Sequence, residues 1–342
     1  MTLSLSNSET YLLLTGDQVS RINGKLTGAE QTAIVAMGED LQITDSADID
    51  EYQGAFAAIE GANIEYEVET GSKTFKNQFA GTGYLKKTGF GELIIDEGVE
   101  SINVEADEGI VRFNPNDPAT QTINSLKLNS NGIVEIGSGS TARIETDGVL
   151  VVQDFVGNGG LVAMDVALGT STEQGSTVEF GAAGNDGLEI QGTASGNANI
   201  LIRDKNGLKQ GAEERIHLVK VAASTEDFDL SLYNGAVTAG AYDYTLVRED
   251  RSASGDEVET GSDWYLSSIE GQEQIRNTTV NAGSYIAIAS AAQLFDLSLH
   301  DRVGNRDWIN PVTGEKQSTS LWMHQTFSHE RSRDSTNQIR MR

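Results

Sequence analysis

The chain has 342 residues, of which 38% are hydrophobic, with 37 glycines, 3 prolines and no cysteine. The lack of cysteine excludes disulfides, a cysteine nucleophile and thiolate metal sites, and the glycine-rich, proline-poor composition favours a sheet-rich body with tight turns. Residues 1–270 hold 16 Lys and Arg against 44 Asp and Glu, while 271–342 hold 8 against 7, which places a boundary near residue 270. So acidic a body argues against a nucleic-acid partner, because phosphate binding needs clustered Lys and Arg.

The first 80 residues predict short, irregular strands. Their apolar pulses lie at 11–14, 19–22, 33–36, 41–43 and 63–68. An acidic stretch at 45–51 lacks the ligand spacing of a calcium loop, so we interpret it as a solvated turn. No signal peptide and no apolar run of transmembrane length is present. If the protein is exported, we expect its signal to lie upstream in a longer polypeptide.

Residues 81–113 predict more regular strands, with a glycine turn at 89–91 and a loop holding Pro115 and Pro118. Through 120–268 apolar pulses recur every 8 to 12 residues or so, and six of the seven Asn-Gly or Asp-Gly pairs of the chain fall there. Two architectures fit this pattern: an antiparallel sandwich or barrel, and a β-solenoid. Few of the pairs separate matched alternating strands, so the pattern favours the solenoid.

The predicted fold class is therefore all-β, a right-handed parallel β-helix. We expect about 12 to 14 coils of about 20 residues and a rod roughly 60 Å long. The side chains predicted to point inward are Val151, Ile190, Ile202, Val219 and Leu246. A solenoid needs protected ends, and the densest aromatic group of the body is predicted to cap the C-terminal end: Tyr242, Tyr244, Leu246, Trp264, Tyr265 and Leu266.

The pattern changes beyond residue 270. Residues 278–302 are rich in alanine, with larger apolar residues three or four apart, which predicts a helix. Residues 304–314 are interpreted as a polar loop. Residues 320–330 alternate and predict one strand, which cannot be stable alone. The sequence therefore seems cut inside a domain.

Three motifs in one order resemble the pertactin-like and self-associating adhesin group of autotransporters, which use type V secretion. The first, Leu85-Lys86-Lys87-Thr88-Gly89-Phe90-Gly91-Glu92-Leu93, is similar to a passenger repeat. The second runs from Val149 through Gly240-Ala241-Tyr242-Asp243-Tyr244 to Trp264-Tyr265-Leu266 and resembles the junction region called the autochaperone. The third, Leu299-His300-Asp301-Arg302 with Leu321-Trp322-Met323 and His329-Glu330-Arg331, resembles a pore helix and the first strand of a translocator barrel.

The resemblance implies four regions: passenger β-helix coils at 1–131, a β-helix cap or autochaperone at 132–270, a helical linker at 271–310 and the truncated start of an outer-membrane β-barrel at 311–342. It implies pore-helix residues Tyr285, Phe295, Leu299, Asp301 and Arg302. The implied location is the bacterial outer membrane or cell surface. The implied partners are the protein's own translocator barrel and the outer-membrane assembly machinery, and a passenger that self-associates or binds a host-surface ligand.

No catalytic pattern stands out in the sequence. Its four histidines, His217, His300, His324 and His329, form no His-Glu-x-x-His motif, and the serines beside glycines lie in no nucleophile-elbow pattern. We therefore predict no enzyme activity and no cofactor. The main hypothesis is a structural stalk and folding nucleus of a surface-displayed passenger of the adhesin or biofilm type. The alternatives are a β-helix polysaccharide lyase or hydrolase and an added binding face for adhesion.

Overall fold

The computed structural model describes residues 3–5, 10–16, 18–96, 98–114, 120–137, 148–171, 173, 175–207, 211–224, 228–240, 242–251, 261–269, 306–319, 332–333 and 340–341. The chain divides into two compact units, Met1–Gly271 and Gln272–Arg342. The described part contains no helix long and apolar enough to cross a membrane.

The strands of the first unit are short at its start and long in its middle. In chain order they are β1 (Leu3–Leu5), β2 (Tyr11–Thr15), β3 (Ser20–Ile22), β4 (Leu26–Gly28), β5 (Ala33–Met37), β6 (Leu41–Ile43), β7 (Ala55–Ile59), β8 (Ile64–Glu67), β9 (Ser72–Phe75), β10 (Phe79–Gly81), β11 (Leu85–Thr88), β12 (Glu92–Asp96), β13 (Asn103–Asn114), β14 (Thr120–Ile136), β15 (Val149–Val166), β16 (Ser176–Val178), β17 (Gly187–Asp204), β18 (Glu214–Ser224), β19 (Asp229–Leu232), β20 (Val237–Ala239), β21 (Tyr242–Asp250) and β22 (Ser262–Ser267). The second unit adds β23 (Arg306–Ile309), β24 (Lys316–Thr319), β25 (Ser332–Arg333) and β26 (Arg340–Met341).

Parallel ladders organise the first unit. One joins β2, β5, β7 and β10, and a longer one joins β3, β6, β8, β11, β13, β14, β15, β17 and β18. In β13, the first half pairs with β11 and the second half with β12, so the strand continues from one ladder into the next. The register shifts between Ala106 and Glu108, where the two halves meet. This all-β arrangement with long parallel strands is consistent with the predicted β-helix.

One hydrophobic core runs inside these ladders. In the short strands, buried and partly exposed residues alternate, as in β5 and β7. Corresponding residues of successive coils stack in register: Ile64 pairs with Leu85, and Leu85 pairs with Val104. All three side chains are fully buried. Residues 1–80, expected to be irregular, instead form regular coils of this stack.

Two lysines lie against the coil backbone instead of projecting into solvent. Lys87 is fully buried, and its Nζ donates to the carbonyls of Thr88, Gly89 and Glu108 at 2.8, 2.5 and 3.0 Å. Lys73 donates in the same way to carbonyl oxygens of the preceding coil. Burial lowers the pKa of Lys87 to about 8. The lysine of the passenger-like repeat therefore ties a turn to the next coil.

Three predictions need correction. The long ladder holds nine strands within the described residues, which gives a rod of roughly 40 Å, not 60 Å, because the coil grows from 19 residues between Leu85 and Val104 to 39 between Phe155 and Ala194. Val151 is buried but does not belong to the core, whereas Leu150 and Val152 do.

The third correction concerns 304–314, interpreted as a polar loop. Its residues Arg306–Ile309 form β23, which pairs antiparallel with β24. The predicted helix at 278–302, the pore-helix residues and the predicted strand at 320–330 lie outside the described residues. Of the other inward predictions, Ile190 and Val219 are fully buried, Ile202 is buried, and Leu246 is partly buried against the core.

Candidate functional site: the C-terminal cap

Strand direction reverses at the C-terminal end of the rod. Strand β18 pairs parallel with β17 on one side and antiparallel with β22 on the other, where Val219 faces Trp264. Strand β22 then pairs antiparallel with β21, with Leu246 opposite Leu266, and β21 pairs antiparallel with β20. We call strands β18 and β20–β22 the C-terminal cap. A short antiparallel meander thus covers the last parallel rung.

A column of aromatic rings joins the cap to the coils. Trp264 is 1% exposed and meets the ring of Phe228 edge to face at 5.3 Å. Phe228 meets Phe155 of β15 at 5.9 Å. The guanidinium of Arg248 lies 5.1 Å from the centre of the Trp264 ring. Edge-to-face pairs and cation–π contacts each add to the energy of burial alone, so this column binds the meander to the core.

A buried carboxylate forms the polar centre of the cap. Glu214 is fully buried and accepts hydrogen bonds from the backbone N–H groups of Gly169 (2.7 Å) and Ser171 (3.1 Å) and from the hydroxyl of Tyr244 (2.8 Å). Its own N–H donates to Ser268 Oγ at 2.9 Å. Burial raises the pKa of Tyr244, so the hydroxyl stays protonated and remains a donor. Glu214 therefore connects β18, β21 and the loop after β15.

The other face of the cap carries a second cluster. The imidazole of His217 stacks on the ring of Tyr265 at 4.6 Å and lies 5.2 Å from Phe180. The guanidinium of Arg215 lies 4.4 Å from the centre of the Tyr265 ring. Burial lowers the pKa of His217, while Asp263, whose Oδ1 lies 3.3 Å from His217 Nε2, opposes the shift. The rings leave His217 little access to a substrate.

A second buried carboxylate lies near the start of the C-terminal half. Asp186 is fully buried and accepts the backbone N–H groups of Gly148 (3.0 Å) and Asp165 (2.7 Å). A Cβ on Gly137 would lie 2.8 Å from its Oδ1, so that glycine leaves room for the carboxylate. Burial raises the pKa of Asp186 to about 7, with Asp165 adding to the shift and Lys205 opposing it. Asp186 thus holds both ends of β15.

The structure brings the predicted cap residues together in β21 and β22. The side chains of Tyr244, Trp264 and Leu266 are buried, and those of Tyr242, Leu246 and Tyr265 are partly buried. Sequence reasoning missed Phe228, Glu214 and Arg248. Phe228 stands in the acidic run 226–229, which gave no apolar pulse, and Glu214 is one of 51 acidic residues. In the described part of the chain, no group of three or more His, Asp or Glu is placed to hold a metal ion.

The comparisons with known proteins fall on the same region. The model of the Pertactin family matches residues 123–267. The chain is 27% identical over 291 residues to the uncharacterized protein YuaQ of Escherichia coli strain K12, covering 77% of this chain and 20% of YuaQ. It is 29% identical over 175 residues to the autotransporter adhesin AIDA-I of Escherichia coli, covering 51% of this chain and 12% of AIDA-I.

A further match is the probable autotransporter YfaL of Escherichia coli strain K12, which is 27% identical over 154 residues, covering 44% of this chain and 10% of YfaL. The chain therefore spans a fifth or less of the length of these three relatives. The family match covers the aromatic column, the Glu214 centre and β22, the elements that set the cap apart. The chain carries an exported autotransporter passenger segment of the pertactin-like group, at the outer membrane or cell surface, and the resemblance drawn from its motifs is confirmed.

Proposed function

We propose that this segment is the stalk end of a surface-displayed passenger and that its C-terminal cap is the folding nucleus of that stalk. The observation that carries the proposal is the change of strand direction at β18. A parallel rung needs a partner one whole coil away, 39 residues in the case of Phe155 and Ala194. In the meander, Val237 pairs with Tyr244 only seven residues later.

Short pairings form first because closing a short loop costs less conformational entropy. The antiparallel strands β20–β22 therefore order before any complete coil. Once β22 is in place, its edge pairs with β18, and β18 offers its other edge to β17. Each later coil then buries its inward side chains on the coil already formed. Folding would proceed from the C-terminal end toward the N-terminus.

This order suits export across an outer membrane, where no ATP is available. A segment that folds first outside the cell would draw the rest of the chain outward, since each added coil buries apolar surface. In the full-length protein we infer a translocator barrel, reached through the helical linker and the first barrel strand predicted at 271–342. The pore-helix residues Tyr285, Phe295, Leu299, Asp301 and Arg302 belong to this proposal.

Right-handed winding of the coils also belongs to it. The proposal includes an adhesive passenger, a role supported by the likeness to a relative named as an adhesin. It includes no catalysis. In support, His217, the histidine among the described residues, is packed between aromatic rings.

Pulse-labelled hydrogen exchange during refolding of the whole chain tests the proposal. We expect the amides of β21 and β22 to become protected before those of β2 and β5. Trp264→Phe, which keeps a ring in the column, should preserve that order and Trp264→Ala should delay protection along the whole rod. Protection of β2 and β5 ahead of the cap would show that the nucleus lies at the other end.

A further inference from the structure

The N-terminal coil leaves its end of the core open. Among the described residues, β1 pairs only with β4, β2 only with β5 and β3 only with β6. The inward side chains of this coil pack on the core from one side and are only partly buried: Leu5, Leu12, Leu14 and Ile22. On the outward side of β2, Tyr11 is 72% exposed and Leu13 is 47% exposed. The coil thus presents an apolar cross-section and a free strand edge.

This edge lacks the usual protection. Natural edge strands carry charged side chains, proline or a bulge, which prevent pairing with another chain. Strands β1 and β2 read Leu-Ser-Leu and Tyr-Leu-Leu-Leu-Thr and contain no charge and no proline. In a body with 44 acidic residues, two adjacent uncharged edge strands are conspicuous. An uncharged, apolar edge of this kind is a site for strand pairing.

The occupant that fits best is a second copy of this chain. Tyr11 pairs with Ala33, so one coil spans 22 residues, and a stable protein interface takes about 20 to 30 residues from each partner. The second copy presents a cross-section of the same size and apolar character. A twofold axis makes such a surface complementary to itself.

We propose that the chain dimerises end to end through its N-terminal coil, with β2 pairing antiparallel to β2 of the second copy. Twofold symmetry and full overlap of this five-residue strand define the register. Leu13 lies opposite its own counterpart, and Tyr11 lies opposite Thr15. Leu12 lies opposite Leu14, which stacks the inward side chains of the two copies and closes both cores.

Cysteine crosslinking tests the register, because the chain has no cysteine of its own. Residues directly opposite in an antiparallel pair have Cα atoms about 4.5–5.5 Å apart, within the roughly 4.4–6.8 Å that a disulfide spans. Leu13→Cys should therefore form disulfide-linked dimers. Tyr11→Cys and Thr15→Cys should not do so separately but should crosslink when mixed. Tyr233→Cys, 60% exposed in the loop after β19, is the matched control and should stay uncrosslinked.

Sedimentation velocity of the whole chain tests the assembly itself. We expect the wild type to shift with concentration from the 36.6 kDa monomer to a dimer. Leu13→Lys should remain monomeric with an unchanged circular dichroism spectrum, because Leu13 is outward and half exposed. Phe90→Lys, at a residue 75% exposed on a turn, should dimerise like the wild type. A wild type that stays monomeric, or a dimer that survives Leu13→Lys, overturns the proposal, as does crosslinking of Tyr233→Cys in place of Leu13→Cys.

Discussion

The two ends of the rod differ in how they treat apolar side chains. At the N-terminal end Tyr11 is 72% exposed and the inward leucines of β2 are only partly buried. At the C-terminal end Trp264 is 1% exposed and Tyr244 is fully buried. A parallel coil always leaves an edge that accepts another parallel strand. The cap teaches that a stack of parallel coils is closed by reversing strand direction.

The largest expected effect tests whether the aromatic column is the source of that difference. Trp264→Ala should lower the free energy of unfolding by about 3–5 kcal/mol, because it removes a buried ring and leaves a cavity. Tyr11→Ala, at an exposed site, should stay within about 0.5 kcal/mol of the wild type. Limited proteolysis with mass spectrometry should then show residues 132–268 losing resistance only in the first variant. Digestion of 132–268 before 1–130 in the wild type would contradict the comparison.

A pH dependence of the C-terminal half follows from Asp186. Its pKa rises from 3.8 to about 7 on folding, so the folded state binds the proton more tightly. The stabilisation is therefore complete below pH 3.8 and is lost as the pH rises from 3.8 to about 7. With about 1.4 kcal/mol for each unit of pKa shift, the change is at most about 4 kcal/mol.

Denaturant unfolding at several pH values between 4 and 7 measures this slope. Asp186→Asn should abolish it. Asp154→Asn is the matched control: hydrogen bonds from Thr193 lower the pKa of Asp154, so its contribution changes below pH 3.8 and the slope in this window should remain. An unchanged slope in Asp186→Asn would assign the pH dependence to other groups.

The polar centre of the cap gives a smaller effect. Glu214→Ala leaves the N–H groups of Gly169 and Ser171 without their acceptor, and we expect a loss of about 2–3 kcal/mol. Tyr244→Phe removes one hydroxyl from the same centre and should cost about 1 kcal/mol. At the open end, Ser20→Ala breaks the hydrogen bond of Ser20 to Glu39 (2.8 Å) and should cost less than either. Equal losses at the two ends would remove the distinction between them.

The smallest effect compares two neighbouring lysines in the middle of the rod. Lys87→Met leaves three carbonyl oxygens without their buried donor, and we expect a loss of about 1–2 kcal/mol. Lys86→Met removes a solvent-facing ion pair with Asp107 and should cost less than about 1 kcal/mol. Thermal unfolding of the two variants side by side measures the difference. If Lys86→Met is the more damaging of the two, the inward role of Lys87 is wrong.

Much of the fold was predictable because short strands with alternating burial leave a clear period in the sequence. The apolar pulses at 33–36 and 41–43 fall within β5 and β6. Val151 failed because 149–152 is apolar throughout, so no alternation marks which face is inward. The number of coils failed because coil length is not constant, and long passages such as 167–186 between β15 and β17 have no period of their own.

The cap was predictable to a lesser degree. Trp264 and Tyr244 stood out as aromatic residues in an aromatic-poor body, and both are buried. The reversal of strand direction was not predictable, since the apolar pattern of a strand is the same in parallel and antiparallel pairs. Glu214 and Asp186 resemble every other acidic residue in the sequence. Only the folded chain shows that their carboxylates lie away from water.

The inward lysines also determine how the rod meets ions and other rods. Lys87 is fully buried, and the ammonium group of Lys73 is bound to backbone carbonyls of the coil before it. Positive charge is scarce in residues 1–270, and part of it is held by the backbone. The wall that faces the medium is therefore more anionic than the composition indicates. Neighbouring rods on one cell would repel each other at low ionic strength and approach as salt screens them over about 10 Å at 0.1 M. The spacing of displayed stalks would then follow the salinity around the cell.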